Sequence, residues 1–183
     1  TRTLVIGVRK DYEDIVTPNE LFPDLQREVT LREVIGDMPR LSEMGEIDPK
    51  DIYHSFRKYD PRMRDWIRYI KEGQSAFDNT DKKLIPHQIK NGVIVPNQNK
   101  NGDKYTRQYW DKVAPCIHTR NDILASQNTV HPVDDRVFSI RELMKLMTIP
   151  DTFNWSDIPF EVLNDLSIEE KQAYLKKHEI NIR

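Results

Sequence analysis

Hydrophobic positions in this chain fall in short bursts between long polar stretches, and their period changes along the sequence. Residues 1–9 carry Leu4, Val5, Ile6 and Val8 around Gly7, a continuous apolar run that predicts a buried strand. A turn at Thr17-Pro18-Asn19 precedes a short helix up to residue 36. Thr30 is its N-cap, Glu33 completes a capping box, Gly36 is the stop, and Leu31, Val34 and Ile35 form its apolar side. Residues 49–73 predict two helices. Pro49 suits the start of the first, which runs to about Tyr59. The second follows Asp60-Pro61 and ends at Gly73, with Met63, Trp66, Ile67 and Ile70 recurring at three and four. Residues 74–110 are the least regular. Strands are expected at 93–95 and at 105–110, flanking a hairpin over the Asn- and Lys-rich loop between them.

The most strongly specified stretch is residues 129–155. It opens on the turn-prone run His131-Pro132-Val133-Asp134-Asp135-Arg136, and the apolar Val137-Phe138-Ser139-Ile140 leads into a helix. Ser139 is the N-cap and Glu142 its capping-box partner. Leu143, Leu146 and Met147 are expected on the buried face, with Pro150 as the stop. Residues 156–183 predict two more helices, one over 159–166 and one capped by Ser167 with Glu170, running to about His178. The pattern as a whole predicts an α+β fold, loop-rich, with small twisted β-strands flanked by short helices.

Composition narrows the class. With 183 residues the chain suits one domain with appendages, and 37% hydrophobic against 32% charged residues allow a modest core. A single cysteine excludes a disulfide framework and fits a reducing compartment, so a cytoplasmic location is expected. The N-terminus lacks a signal-peptide pattern, and no apolar run reaches the ~18 residues of a membrane span, so no membrane partner is expected. The net charge of −2 conceals segregation. Residues 10–51 hold 12 acids and 5 bases, a net of −7; residues 82–107 hold 6 bases and 1 acid, a net of +5; residues 151–183 are again acidic, at −3. A local basic region in an acidic chain can attract a polyanion to one face. A solvated basic face has the same composition.

Within that region Lys82, Lys83, Asn97, Gln98, Asn99, Lys100, Asn101, Lys104 and Arg107 are the candidate DNA contacts. Asn and Gln can bond adenine edges bidentately, Arg and Lys bond guanine, and Lys also contacts phosphate. An exposed turn would carry the same residue types. The helix bases Arg62, Arg64, Arg68 and Lys71 suit either a phosphate-facing or an ordinary solvated face. Cys116 follows Pro115 and precedes His118, but a thiolate nucleophile needs a base and an oriented third group, and a lone Cys is usually a small hydrophobe, which speaks against a thiolate–imidazole pair. The five scattered histidines give no metal-ligand spacing, so no metal is expected.

The order His131-Pro132, Arg136, Phe138-Ser139-Ile140-Arg141-Glu142 and Pro150-Asp151-Thr152-Phe153 resembles the ninth conserved motif of the cytosine-5 DNA methyltransferases. Two departures stand out. Met144-Lys145-Leu146-Met147 replaces the family's usual Ala-Arg-Leu-Gln, and Ile149 replaces its Phe before Pro150. Both keep the apolar helix face. Arg2 and Arg9 match the later part of the family's eighth motif, which makes Arg2 a candidate contact to the flipped cytosine, although in this isolated chain the reading as a disordered end residue is favoured. Arg107, Trp110-Asp111 and Ala114-Pro115 resemble the end of the family's target recognition domain.

The resemblance implies a division of the chain. Residues 1–9 are the trailing strand of a catalytic domain, 10–128 the target recognition domain, 129–155 the ninth-motif segment, in which His131, Arg136, Arg141 and Glu142 are structural, and 156–183 a helical extension. The family's Phe-x-Gly-x-Gly loop, its Pro-Pro-Cys-Gln nucleophile loop, its Glu-Asn-Val segment and its tenth motif are not found in the sequence. The expectation is a fragment of a bacterial modification enzyme, inactive alone, with double-stranded DNA and the rest of the catalytic domain as partners. S-adenosylmethionine would be held by the full enzyme and not by this fragment. A stand-alone DNA-binding specificity module is the alternative, and an unrelated protein-interaction domain a third.

Overall fold

The computed structural model describes Val5, residues 7–12, Glu20, Asp24, 26–98 and 102–178. It contains α1 (Leu31–Ile35), β1 (Ile47–Asp48), β2 (Asp51–Ser55), α2 (Arg62–Ile67), β3 (His87–Lys90), β4 (Val93–Pro96), α3 (Ile140–Leu146), α4 (Phe160–Asn164) and α5 (Ile168–Lys177). The architecture is mixed, with short helices and two separate two-stranded antiparallel sheets, β1–β2 and β3–β4.

The three expected capping boxes form. Thr30 and Glu33 close the start of α1, Ser139 and Glu142 that of α3, and Ser167 and Glu170 that of α5. Each satisfies orphan N–H groups that a short helix cannot satisfy internally. The remaining first-turn donors of α1 go to neighbouring chain: Leu31 and Arg32 N–H bond the carbonyls of Lys112 and Trp110.

Four expectations about elements need correcting. Residues 51–55 form a strand, not the helix expected from Pro49. The proline's fixed φ serves equally at the corner of a turn, and Asp48 pairs with Asp51 across Pro49-Lys50. The helix after Asp60-Pro61 stops at Ile67, well before Gly73. The hairpin at 93–96 pairs with 87–90 and not with 105–110. Its turn is Asn91-Gly92, both residues at positive φ, the geometry that favours Asn-Gly in two-residue hairpin loops. Finally, Met147 is exposed while Met144 is buried, and Thr148 turns the chain at φ +57 before Pro150 is reached. The strand expected at residues 1–9 lies mostly outside the described residues; Val5 and Gly7, Val8 and Arg9 are exposed and take no strand conformation.

Three buried clusters make the core. The largest gathers Trp66, Ile67 and Ile70 beside α2 with Tyr105, Val130 and Val137. A second joins Leu31 and Ile35 to Phe138 and Leu143. The third joins Ile52 and Tyr53 to Met144 and Leu163. Residues 130–144 therefore contribute to all three. That segment is the seam of the fold, and its extended part is held by backbone bridges from Val130 to both Arg107 and Val137.

Candidate nucleic-acid interface

The seam is built around a buried ionic cluster. The Arg136 guanidinium donates to both Glu142 oxygens at 2.8 Å, to Asp134 Oδ2, and to the carbonyls of Leu41 and Val137. All of its donor groups have partners, which burial of a guanidinium requires. Arg40 reaches in from a more exposed position to bond Asp134 Oδ1 at 2.6 and 2.8 Å. Burial pushes the Glu142 carboxyl up, but hydrogen bonds and charge from Arg136 outweigh it and hold the group down at about 2.

His131 faces the same cluster. Its Nδ1 accepts from the Val133 and Asp134 backbone N–H groups, which assigns the ring proton to Nε2, 3.6 Å from Glu142 Oε1. Burial lowers its pKa to about 4, so the ring is neutral at ordinary pH. Trp110 and Phe138 pack edge-on against it. Arg141 works on the other side of α3. It bonds the Asp51 carboxylate and lies over the rings of Tyr53 and Phe160, tying α3 to β2 and α4. His54 adds a further tie, accepting from the Ser139 hydroxyl at 2.9 Å while its Nε2–H donates to the Pro39 carbonyl.

Arg107 is a correction to the expected DNA contacts. It is 4% exposed. Its guanidinium donates to the carbonyls of Ile67 and Ile70 past the C-terminal end of α2, to those of His131 and Asp134, and to the Asp135 carboxylate. A guanidinium so engaged has no donor left for a base or phosphate. Sequence alone could not separate it from the lysines nearby, because a basic side chain in a polar loop looks the same whether it points in or out.

Of the remaining described candidates, Asn97, Gln98 and Lys104 lie beside α2 and the β3–β4 hairpin. A groove of about 600 Å³ runs between them, lined by Arg62, Trp66, His87, Gln88, Gln98 and Lys104 among others. Trp66 forms its apolar floor, with His87 at 5.3 Å and Tyr105 at 5.7 Å between ring centroids. Lys82, Lys83 and Gln98 are exposed and Lys104 is half-buried. Asn97 is partly committed, its side chain bonding the buried Tyr105 phenol, whose pKa burial raises and this bond lowers. Asn99, Lys100 and Asn101 lie outside the described residues, as does Arg2. The structure thus gathers Asn97, Gln98 and Lys104 around one groove, leaves Lys82 and Lys83 exposed outside its lining, and removes Arg107 from the set. Gln88, on the same groove, was missed although the Asn-Gly signal for its hairpin was present.

Cys116 is exposed, and His118 Nε2 bonds the Gln127 carbonyl. Among the described residues no group of three His, Cys, Asp or Glu side chains could hold a metal ion, and no helix is long and apolar enough to cross a membrane.

Comparison with known proteins places this geometry in a family. The sequence profile of the C-5 cytosine-specific DNA methylases matches residues 1–159. The Type II methyltransferase M1.HgaI of Avibacterium volantium is 32% identical over 152 residues, covering 78% of this chain and 40% of that protein. The Type II methylase M.HgiDII of Herpetosiphon aurantiacus is 27% identical over 156 residues, covering 85% of this chain and 41% of that protein. The chain spans about two fifths of the length of these curated relatives. No solved structure matches. With most of its length inside the family profile, the chain belongs to the C-5 cytosine-specific DNA methylase family.

Proposed function

We propose that this chain is the DNA target-recognition part of a cytosine-5 DNA methyltransferase that moves a methyl group from S-adenosylmethionine to C5 of cytosine in one duplex sequence, as part of bacterial modification in the cytoplasm. The observation that carries this is the groove beside α2, where the exposed Gln98 and the half-buried Lys104, both without internal side-chain partners, join Asn97 over an aromatic floor on a chain of this family, with the exposed Lys82 and Lys83 a few residues before β3 in the chain. Lysine and arginine near phosphate supply affinity, and amides in a groove supply choice of sequence.

Residues 10–128 carry recognition in this proposal. The 129–155 segment, which contains the seam, holds them in place, and 1–9 and 156–183 lie against the rest of the enzyme. The target cytosine must leave the stack before its C5 can react. Lys82, Lys83 and Lys104 would bind the duplex backbone and Gln98 with Asn97 would orient it, so that one base pair is presented for extrusion.

The described residues do not fit S-adenosylmethionine. Nucleoside cofactors are received where a strand runs through a glycine-rich turn into a helix, and both sheets here are isolated antiparallel pairs. The cofactor and the cysteine nucleophile are assigned to the remainder of the enzyme. Bisulfite sequencing of DNA from cells expressing this chain together with the remainder of its enzyme tests the proposal. Full methylation of one cytosine within one short sequence is expected; an unmethylated genome would overturn it.

A further inference from the structure

Building on that DNA-recognition reading, we propose that the β3–β4 ribbon enters the major groove of the duplex, and that Gln88 and Lys90 read base edges there. Neither residue was among the sequence-derived contacts. The ribbon is anchored at one end only. His87 packs on Trp66, and the Asn97 N–H bonds the Pro86 carbonyl. Beyond that base, every residue from Gln88 to Pro96 is exposed.

Exposure of both faces is costly for this sequence. Ile89, Val93, Ile94 and Val95 are 53, 63, 49 and 39% exposed, an apolar surface that marks a docking element. Dimensions and charge select the occupant. A strand of this length reaches roughly 13 Å, and the major groove is about 8.5 Å deep and about 12 Å wide, enough for a two-stranded ribbon. Residues 82–102 contain no acidic side chain and carry Lys82, Lys83, Lys90 and Lys100, which suits a polyanion and not an acid-balanced protein surface.

Register identifies the readers. Gln88 pairs with Val95 and Lys90 with Val93, so the four side chains share one face of the ribbon. Neither the Gln88 amide nor the Lys90 ammonium has an internal partner to give up. A glutamine amide matches adenine N6 and N7, lysine matches guanine O6 and N7, and the valine methyls suit the thymine methyl.

The test is selection of bound duplexes from a randomised pool by the 183-residue chain, followed by sequencing. The wild type is expected to enrich one short sequence. Gln88→Ala with Lys90→Ala should lose preference at one or two positions, binding the selected site about tenfold more weakly. Lys82→Ala with Lys83→Ala should weaken binding to all sequences alike. Gln88→Glu should move preference at one position toward cytosine, a gain that mere loss of folding cannot produce. Unchanged preferences in the Gln88 and Lys90 variants beside a selective wild type overturn the ribbon inference alone. No salt-sensitive binding, or no enrichment, by the wild type overturns the recognition reading and this inference with it. A concentration-dependent dimer of the free chain, broken by Ile94→Lys, would give the ribbon to a second copy and overturn the inference too.

Discussion

Arg136 and Glu142, six positions apart, meet in a two-pronged pair with both contacts at 2.8 Å and each side chain only 1% exposed. The pair joins the turn before α3 to the helix's own first turn, where Glu142 also receives the Ser139 N–H at 2.7 Å. One carboxylate thereby caps the helix and neutralises the guanidinium. Because Val130 and Val137 enter the largest core cluster, Phe138 the second and Met144 the third, the direction this pair imposes on the chain decides how the three clusters meet.

Removing one partner strands a buried charge. Arg136→Ala or Glu142→Ala should lower unfolding free energy by about 3–5 kcal/mol, a large share of a typical domain's total. The pair itself adds less, so Arg136→Met with Glu142→Leu should cost less than either single alanine variant. Urea titration followed by tryptophan fluorescence reads the difference. Additive losses would mean that the two side chains do not act as a pair.

Acid should unfold the chain in two overlapping stages. His131 is held neutral down to about 4, whereas its unfolded counterpart takes a proton near 6.5. The unfolded state therefore binds more protons between those values, and stability falls with pH across them by ~3 kcal/mol. Glu142, held near 2 against 4.5 when unfolded, contributes stability that is present above 4.5 and lost as pH falls through that window. His131→Gln should flatten the first stage and leave the second. Midpoint denaturant concentration measured from pH 7.5 to 3 checks both; an unchanged slope between 6.5 and 4 in the variant would contradict the assignment.

Arg107 and the Lys82–Lys83 pair should separate cleanly. Arg107→Ala strips partners from five acceptors around the end of α2 and the seam, so it should lower thermal stability by several degrees. Lys82→Ala with Lys83→Ala touches only exposed side chains, so it should leave the melting temperature within about a degree and weaken DNA binding. Differential scanning calorimetry beside a DNA titration reads both, and a stable, binding-deficient Arg107→Ala protein would restore Arg107 to the contact set.

Gly73 sits at φ +76 with Tyr109 directly over its missing side chain, while Gly92 sits at φ +78 in open space. Gly92→Ala should cost only the left-handed conformation, about 1 kcal/mol, and Gly73→Ala should cost more because the Tyr109 ring must also move. Chemical denaturation of the two variants side by side ranks them; equal losses would mean that Tyr109 yields freely.

Local chemistry was legible in the sequence where it was self-contained. The boxes of Thr30 with Glu33, Ser139 with Glu142 and Ser167 with Glu170 each need only residues three apart. Strand β2 was hidden because Ile52, Tyr53, His54 and Ser55 are all buried, which removes the alternation by which a half-buried strand is recognised. The pairing of residues 105–107 with 74–76 and of Arg107 with Val130 depends on contacts far apart in the chain. Arg107 was misread for the same reason: its partners Ile67, Ile70 and His131 are distant in sequence. Lys82, Lys83, Gln98 and Lys104 were legible by type, but Gln88 and Lys90 of the ribbon were not, because the turn at Asn91-Gly92 sets the register that brings their side chains to one face.

The most direct measurement is a salt series of DNA titrations with the intact chain, following the anisotropy of a labelled duplex. Three to four phosphate contacts from the described lysines predict that affinity falls roughly 40- to 150-fold between 50 and 200 mM salt. We predict that slope, reduced by about two units of contact in the Lys82→Ala with Lys83→Ala variant. Binding that ignores salt, or no binding at 50 mM, would contradict a recognition role for this chain.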